Sequence, residues 1–194
     1  MTDGRNLGFA KAGPEHTAEV LQVAGERLAR GGIEHVVVAT TTGETAVARL
    51  HALAAHGVRL VCVTHHVGFR SGDESELDPS HAAALREGGV TIVTAGHALS
   101  GVGRSISESF GGTTPVETIA HTLRLLGQGT KVCVEIAVMA ADAGAIPTDR
   151  DVLAIGGTRR GADTAIVLRA AHMNRFFDLR IREILAKPRR ASES

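Results

Sequence analysis

"VVVATTTGETAVARLHALAAHGVRLVCVT", residues 36–64, is the stretch on which the fold turns. A β-branched run stops at three threonines and Gly43. Ala46, Val47 and Leu50 then resume apolar positions at helical spacing, and after Gly57 a second β-branched run follows. Short apolar runs without alternation read as strands buried on both faces, and the periodic segment between them reads as a helix. A strand, a crossover helix and a second strand make a parallel pair.

The same alternation continues outward in both directions. "GPEHTAEVLQVAGERLARGG" (13–32) reads as a helix with Pro14 in its first turn and glycines at its end. After the polar loop "HHVGFRSGDESELD" (65–78), Asp78-Pro79 opens another helix, and "VTIVTA" (90–95) is a third strand. Thr114, Pro115 and Glu117 spell an N-cap, a first-turn proline and a capping box. "TKVCVEIAVMAADAGAIP" (130–147) has the residue types of a strand but exceeds strand length, so it reads as a helix. That helix places Lys131, Glu135, Met139 and Asp142 on one stripe. "DVLAIGG" (151–157) and "DTAIVLRAA" (163–171) are two more strands joined by "TRRGA". Five strands alternating with helices predict an α/β fold with a parallel sheet covered on both faces. The expected organisation is an N-terminal tail over residues 1–13 and one domain over 14–190.

Composition narrows the function classes. The 194 residues carry 21 basic and 21 acidic side chains, so the charge footprint of a nucleic-acid binder is missing. No stretch has the length of a membrane span or the apolar core of a signal peptide, which predicts a cytoplasmic protein. Cys62 and Cys133 sit in apolar runs, as reduced core thiols do. Aromatic residues make up only 3% of the chain, so a site walled by aromatic rings is not expected.

The turn between the first two strands is the first candidate site. Unpaired amides at a helix start, with the positive end of the helix dipole, suit an anion. Thr40, Thr41, Thr42 and Thr45 add hydroxyls there, Glu44 lies in the first turn, and Gly43 allows close approach. Plain helix capping is the bland alternative. In "GGTRRGAD", Arg159 and Arg160 can clamp a phosphate between Gly157 and Asp163, or form a solvated hairpin tip. "GHALSGVGRSIS" (96–107) offers Ser100 and Arg104 as a second wall. His65, His66 and His97 follow strand ends, but adjacent residues on a strand point apart, and no HxH or HExxH spacing supports a metal. His65 is the ligand contact expected among them, and Glu135, Asp142 and His97 are the acid–base candidates. The alternative is structural, with Glu135 pairing Lys131 and Asp142 capping a neighbour. No catalytic residue is assigned.

These residues also carry a resemblance. "VVVATTTGETAVARLHALAAHGVRLVCVT" and "DVLAIGGTRRGADTAIVLRAA" resemble the C-terminal domain of pyruvate kinase. There, a Thr/Ser-rich turn and a glycine- and arginine-bearing loop hold the phosphates of a sugar bisphosphate effector. From "GPEHTAEVL" through "GHALSGVGRSIS" and "KVCVEIAVMAADAGAIP" to "AKPR", the whole chain resembles stand-alone pyruvate kinase alpha/beta domain-like proteins. The resemblance implies a three-layer α/β/α sandwich whose five-stranded, mostly parallel sheet has an antiparallel last strand. It implies a phosphate-bearing ligand, and flavin mononucleotide (FMN) is the cofactor associated with such proteins. The kinase barrel is absent, so kinase activity is not expected. The "GGTRRGA" loop carries no tryptophan, which speaks against a sugar bisphosphate. Three functions stay open: a phosphate-ligand binding domain, an enzyme acting on a phosphorylated metabolite or through a bound flavin, and a structural or homo-oligomeric module.

Overall fold

The structure, a computed structural model, describes residues 6–70 and 72–189. The outer part of the expected tail, residues 1–5, and the expected domain end at residue 190 lie outside the described residues. Seven strands form one sheet. They are β1 (Leu7–Phe9), β2 (His35–Ala39), β3 (Arg59–Thr64), β4 (Thr91–Thr94), β5 (Asp151–Gly156), β6 (Thr164–Arg169) and β7 (Arg180–Pro188). Their order across the sheet is β1-β7-β6-β5-β2-β3-β4. β6 runs antiparallel to both β5 and β7, while the other pairs are parallel.

Two expectations are corrected here. The sheet has seven strands rather than five, and the antiparallel strand is not the last one, since β7 turns back parallel to the rest. Residues 7–9, expected in a tail, form edge strand β1 against Ala186–Pro188 of β7. The five expected strands themselves are all present, and their buried valines explain why. In β2, Val36 and Val38 face one core and Val37 faces the other, so both sides of the strand are covered.

The first core is roofed by α1 (Thr17–Leu28), α2 (Glu44–Arg49), α3 (His51–Ala54) and α4 (Pro79–Glu87). α6 (Pro115–Arg124) and α7 (Gln128–Asp142) roof the second, and α5 (Gly101–Phe110) packs outside them. The single helix expected after Gly43 is broken into α2 and α3 at Leu50. α7 resolves the strand-or-helix ambiguity in favour of helix: 12 of its 15 residues are buried, which requires an apolar surface all round. The Thr114–Glu117 capping box and the Asp78 N-cap are both formed. Cys62 and Cys133 are free and buried, and burial pushes the Cys62 thiol up to about 12. Among the described residues no helix is long and apolar enough to cross a membrane.

Candidate functional site

β2 and β5 are hydrogen-bonded neighbours, with Val38 opposite Ile155. From β2 the chain winds outward through β3 and β4. It then returns through α5–α7 on the other face to β5. The strand order reverses between β2 and β5, and in open α/β sheets ligands bind in the crevice beyond such a point. Thr40–Thr45 leaves β2 there, and the Gly157–Asp163 hairpin loop leaves β5.

Thr40 N donates to Val63 O at 2.9 Å, the last ladder contact of β2. The first helical hydrogen bond of α2 runs from Val47 N to Gly43 O, so the amides of Glu44, Thr45 and Ala46 have no acceptor within the helix. Gly43 is the N-cap residue, and no side chain caps the helix. Threonine capping, the bland alternative, is therefore not what these hydroxyls do. Among the described residues, no protein group engages the hydroxyls of Thr40, Thr41, Thr42 or Thr45. Gly43 itself has a different reason from the one expected. Its φ is +90°, and a Cβ there would meet His81 Cβ at 2.8 Å and Leu77 Cδ1 at 2.9 Å. The glycine admits Leu77 and His81, the loop before α4 and its first turn. Asp78 N and His81 Nδ1 both contact Thr42 O, at 3.2 and 2.9 Å, and hold the turn to the loop before α4. One strand over, the Thr64 hydroxyl is buried and, among the described residues, has no partner.

Asp163 braces the hairpin loop from within. One carboxylate oxygen accepts from Thr158 N at 3.0 Å and the other from Thr164 Oγ1 at 2.7 Å. Its side chain is thereby committed to the loop. Gly157 is equally structural, because a Cβ would overlap Gly161 O. Ala162 N donates to Thr17 Oγ1 at 3.0 Å, fastening the loop to the start of α1. Arg159 and Arg160 are left at the exposed tip, and among the described residues neither has an ion-pair partner. Arg159 has φ +68°, the one non-glycine in the left-handed region among the described residues. Strain of this kind persists where surrounding structure imposes it, and it clusters at ligand clamps.

A ring cluster stands beyond β3 and β4. The His65 centroid lies 4.0 Å from Phe69 and 5.1 Å from His97, and the His66 centroid lies 5.6 Å from both. The expectation that His65 and His66 point apart fails because both lie past the end of β3, where strand alternation no longer applies. Three histidines and one phenylalanine thus pack into a ring cluster despite the poverty in aromatics. His65 Nδ1 contacts Glu76 Oε2 at 2.5 Å, and Arg70 Nε holds the other Glu76 oxygen at 2.7 Å. Burial lowers His97 to about 4. The carboxylate of Glu135 opposes that shift, while His65, Lys131 and His66 reinforce it.

Glu135 lies inside α7 and is buried. It accepts from Leu99 N at 2.9 Å, from Ser100 Oγ at 3.4 Å and from Lys131 Nζ one turn earlier. Burial pulls the Lys131 ammonium down, and the Glu135 charge resists it. Ser100 is therefore a support for Glu135 behind the wall, while Arg104 is exposed and, among the described residues, unpaired. Asp142 does not join them. It sits at the far end of α7, about 10 Å along the axis from Glu135. There it accepts from Met173 N at 3.2 Å and contacts His172 Nδ1 at 3.0 Å. It is the cap of a neighbouring segment rather than an acid of the site.

Glu76, Arg70, Phe69 and Thr64 were not anticipated. Glu76 is one of four acids in a polar loop, and nothing in its spacing separates it from Asp73, Glu74 or Asp78. Only loop closure onto His65 does. Two open cavities, of about 510 and about 430 Å3, lie elsewhere, along β4 and the N-terminal sheet edge near Arg59 and Ala145. They share no residue with this crevice, and His35, whose buried Nδ1 has no partner among the described residues, lines the second of them. Among the described residues no group of three or more His, Cys, Asp or Glu is placed to hold a metal ion. Residues 18–168 match the family model described as pyruvate kinase, alpha/beta domain, a span that runs from α1 to β6 and takes in all of this site.

Proposed function

From the premise that the chain belongs to the pyruvate kinase alpha/beta domain family, we propose that it binds a phosphate-bearing small molecule between the Thr40–Thr45 turn and the Arg159–Arg160 tip. One observation carries this reading: unengaged amides and hydroxyls leave β2 where unpaired guanidiniums leave its neighbour β5. The turn cradles the oxyanion, and the arginines close on it with charge-assisted hydrogen bonds. On this reading the protein acts in the cytoplasm on a metabolite and is not a pyruvate kinase. Its free, buried cysteines suit that compartment.

FMN is a second reading, favoured by the rings of His65, His66, Phe69 and His97 one to two strands from the turn. They are the ring side chains that a flavin could meet beside the turn. The visible spectrum of protein purified without added ligand separates the two, because bound flavin is yellow.

The test of the cradle is titration with inorganic phosphate followed by amide NMR. Shifts are expected at Thr41–Ala46, with affinity falling about tenfold in Arg159→Ala, the loss of one charge-assisted bond. Shifts confined to other residues, or an affinity unchanged by the substitution, would refute the reading.

A further inference from the structure

We propose that this crevice is catalytic, with His65 Nε2 as the base that removes a proton from carbon beside a carbonyl of a phosphorylated substrate, and His97 as the hydrogen-bond donor to that carbonyl oxygen. The proposal rests on the phosphate reading above and adds a reaction to it.

The chain of contacts is Arg70 to Glu76 at 2.7 Å and Glu76 to His65 Nδ1 at 2.5 Å. A carboxylate can only accept, so Nδ1 carries the proton, and in the neutral ring Nε2 keeps the lone pair. Among the described residues Nε2 has no hydrogen-bond partner. The carboxylate also stabilises the imidazolium that forms when Nε2 takes a proton. Arg70, on the far oxygen, holds Glu76 in place. These are the attributes of an oriented base rather than of a surface ion pair.

Its position is set by the sheet. Ala39 pairs with Val63 at the end of the β2–β3 register, so the Thr40–Thr45 turn and His65 leave the same edge of the sheet from neighbouring strands. Neighbouring strands are about 4.8 Å apart. Glu76 precedes Leu77, which packs on Gly43, so the loop carrying the carboxylate lies against the phosphate turn. A phosphate at Thr41–Ala46 would thus sit against the loop whose carboxylate holds His65. His97 stands next in line, its ring edge-on to His65. Burial keeps His97 neutral against the pull of Glu135. A neutral imidazole donates N–H to a carbonyl oxygen without adding a buried charge, a device known from other isomerising enzymes.

The step balances without a further reactant. The C–H bond breaks, its proton goes to His65 Nε2, and its electron pair forms the C=C bond of an enolate. The carbonyl oxygen takes the negative charge under His97. The proton on Nε2 then returns to the same or the adjacent carbon. Glu76 touches no substrate and is a positioning residue.

The experiment uses dihydroxyacetone phosphate in D2O, with loss of the carbon-bound proton signals followed by NMR. Exchange above the uncatalysed rate is expected, falling about 100- to 10,000-fold in His65→Asn. In the wild-type protein, 15N shifts should show the Nδ1–H tautomer of His65, and Glu76→Gln should blur that preference and slow exchange. Turn shifts on adding the probe without exchange, or equal exchange in His65→Asn, overturn the base while leaving phosphate binding intact. No shifts at Thr41–Ala46 overturn both. Should His65→Asn not fold, an Nε2–H tautomer in the wild-type protein overturns the proposal by itself.

Discussion

His97 ties the candidate site to acid stability. Its pKa falls from 6.5 to about 4 in the folded chain, mainly through burial. Between those values the unfolded chain binds a proton that the folded chain does not. Stability is therefore fully present above about pH 6.5 and is lost as pH falls towards 4. The full shift would be worth at most about 3 kcal/mol, and solvent at the half-buried ring reduces it to about 1–2 kcal/mol. Urea unfolding at about pH 7, 5.5 and 4 should show that loss, and His97→Gln should flatten the difference between pH 7 and 4 by the same amount. His35 shifts in the same direction, through burial and then Arg59, so some slope remains in the variant. An undiminished slope would place the acid sensitivity elsewhere. At this scale the sequence was partly legible. The pairing of Glu135 with Lys131 follows from helical spacing, whereas the partners of Asp142 lie about thirty residues away. Gly43 was misread because its packing partners, Leu77 and His81, are more than thirty residues away. Glu76 went unseen for the same reason, its meaning depending on a loop that no local rule closes.

α7 shows how an element is seated by one missing side chain. A Cβ at Gly129 would overlap Thr164 Oγ1 and stand 2.7 Å from Asp163 Oδ1, the atoms that brace the Arg159 hairpin. The first turn of α7 can thus approach the start of β6 only as glycine. Gly129→Ala should lower unfolding stability by about 3 kcal/mol through overpacking, and it should loosen the hairpin with it. Gly57→Ala is the comparison: φ is +73° but nothing lies within 4 Å, so only backbone strain of about 1 kcal/mol is expected. Equal losses in the two variants would show that α7 is not seated this way. Helix boundaries were legible where chemistry is local, as in the Thr114–Glu117 box, because a cap needs only its own four residues. α5 was legible only as a helical region. It turns Gly103 and Ser107 towards α6 and leaves Val102 and Phe110 at 77% and 85% exposed, an orientation that no rule about apolar faces anticipates.

At the scale of the molecule, the sequence revealed the five strands with a β-branched, apolar centre and hid the two that lack one. β7 alternates imperfectly, with Ile181, Ile184 and Leu185 out of phase, because the β6–β7 register shifts twice along its length. β1 is three residues long and has no pattern to read. Yet β7 is no ornament to a domain that could stop at β6. Ala165, Ile166, Val167 and Leu168 of β6 are wholly buried, and Leu185 and Ala186 of β7 lie in the first core. Arg27 of α1 also holds Glu183 of β7 at 2.9 Å, so the strand is tied to the helix layer as well as to the sheet. The family match ends at residue 168, inside β6, and so understates the folding unit. A chain ending at Asp178 would leave the apolar β6 as an unpaired edge, the arrangement that invites edge-to-edge association. It would also strip β1 of its partner and open the first core. Such a chain should lose cooperative thermal unfolding and form aggregates, seen by calorimetry and light scattering. If it unfolds in one transition near the temperature of the whole protein, the sheet is held by β2–β6 alone. The antiparallel hairpin would then owe its placement over the switch point to α1 and α7 rather than to the strand beyond it.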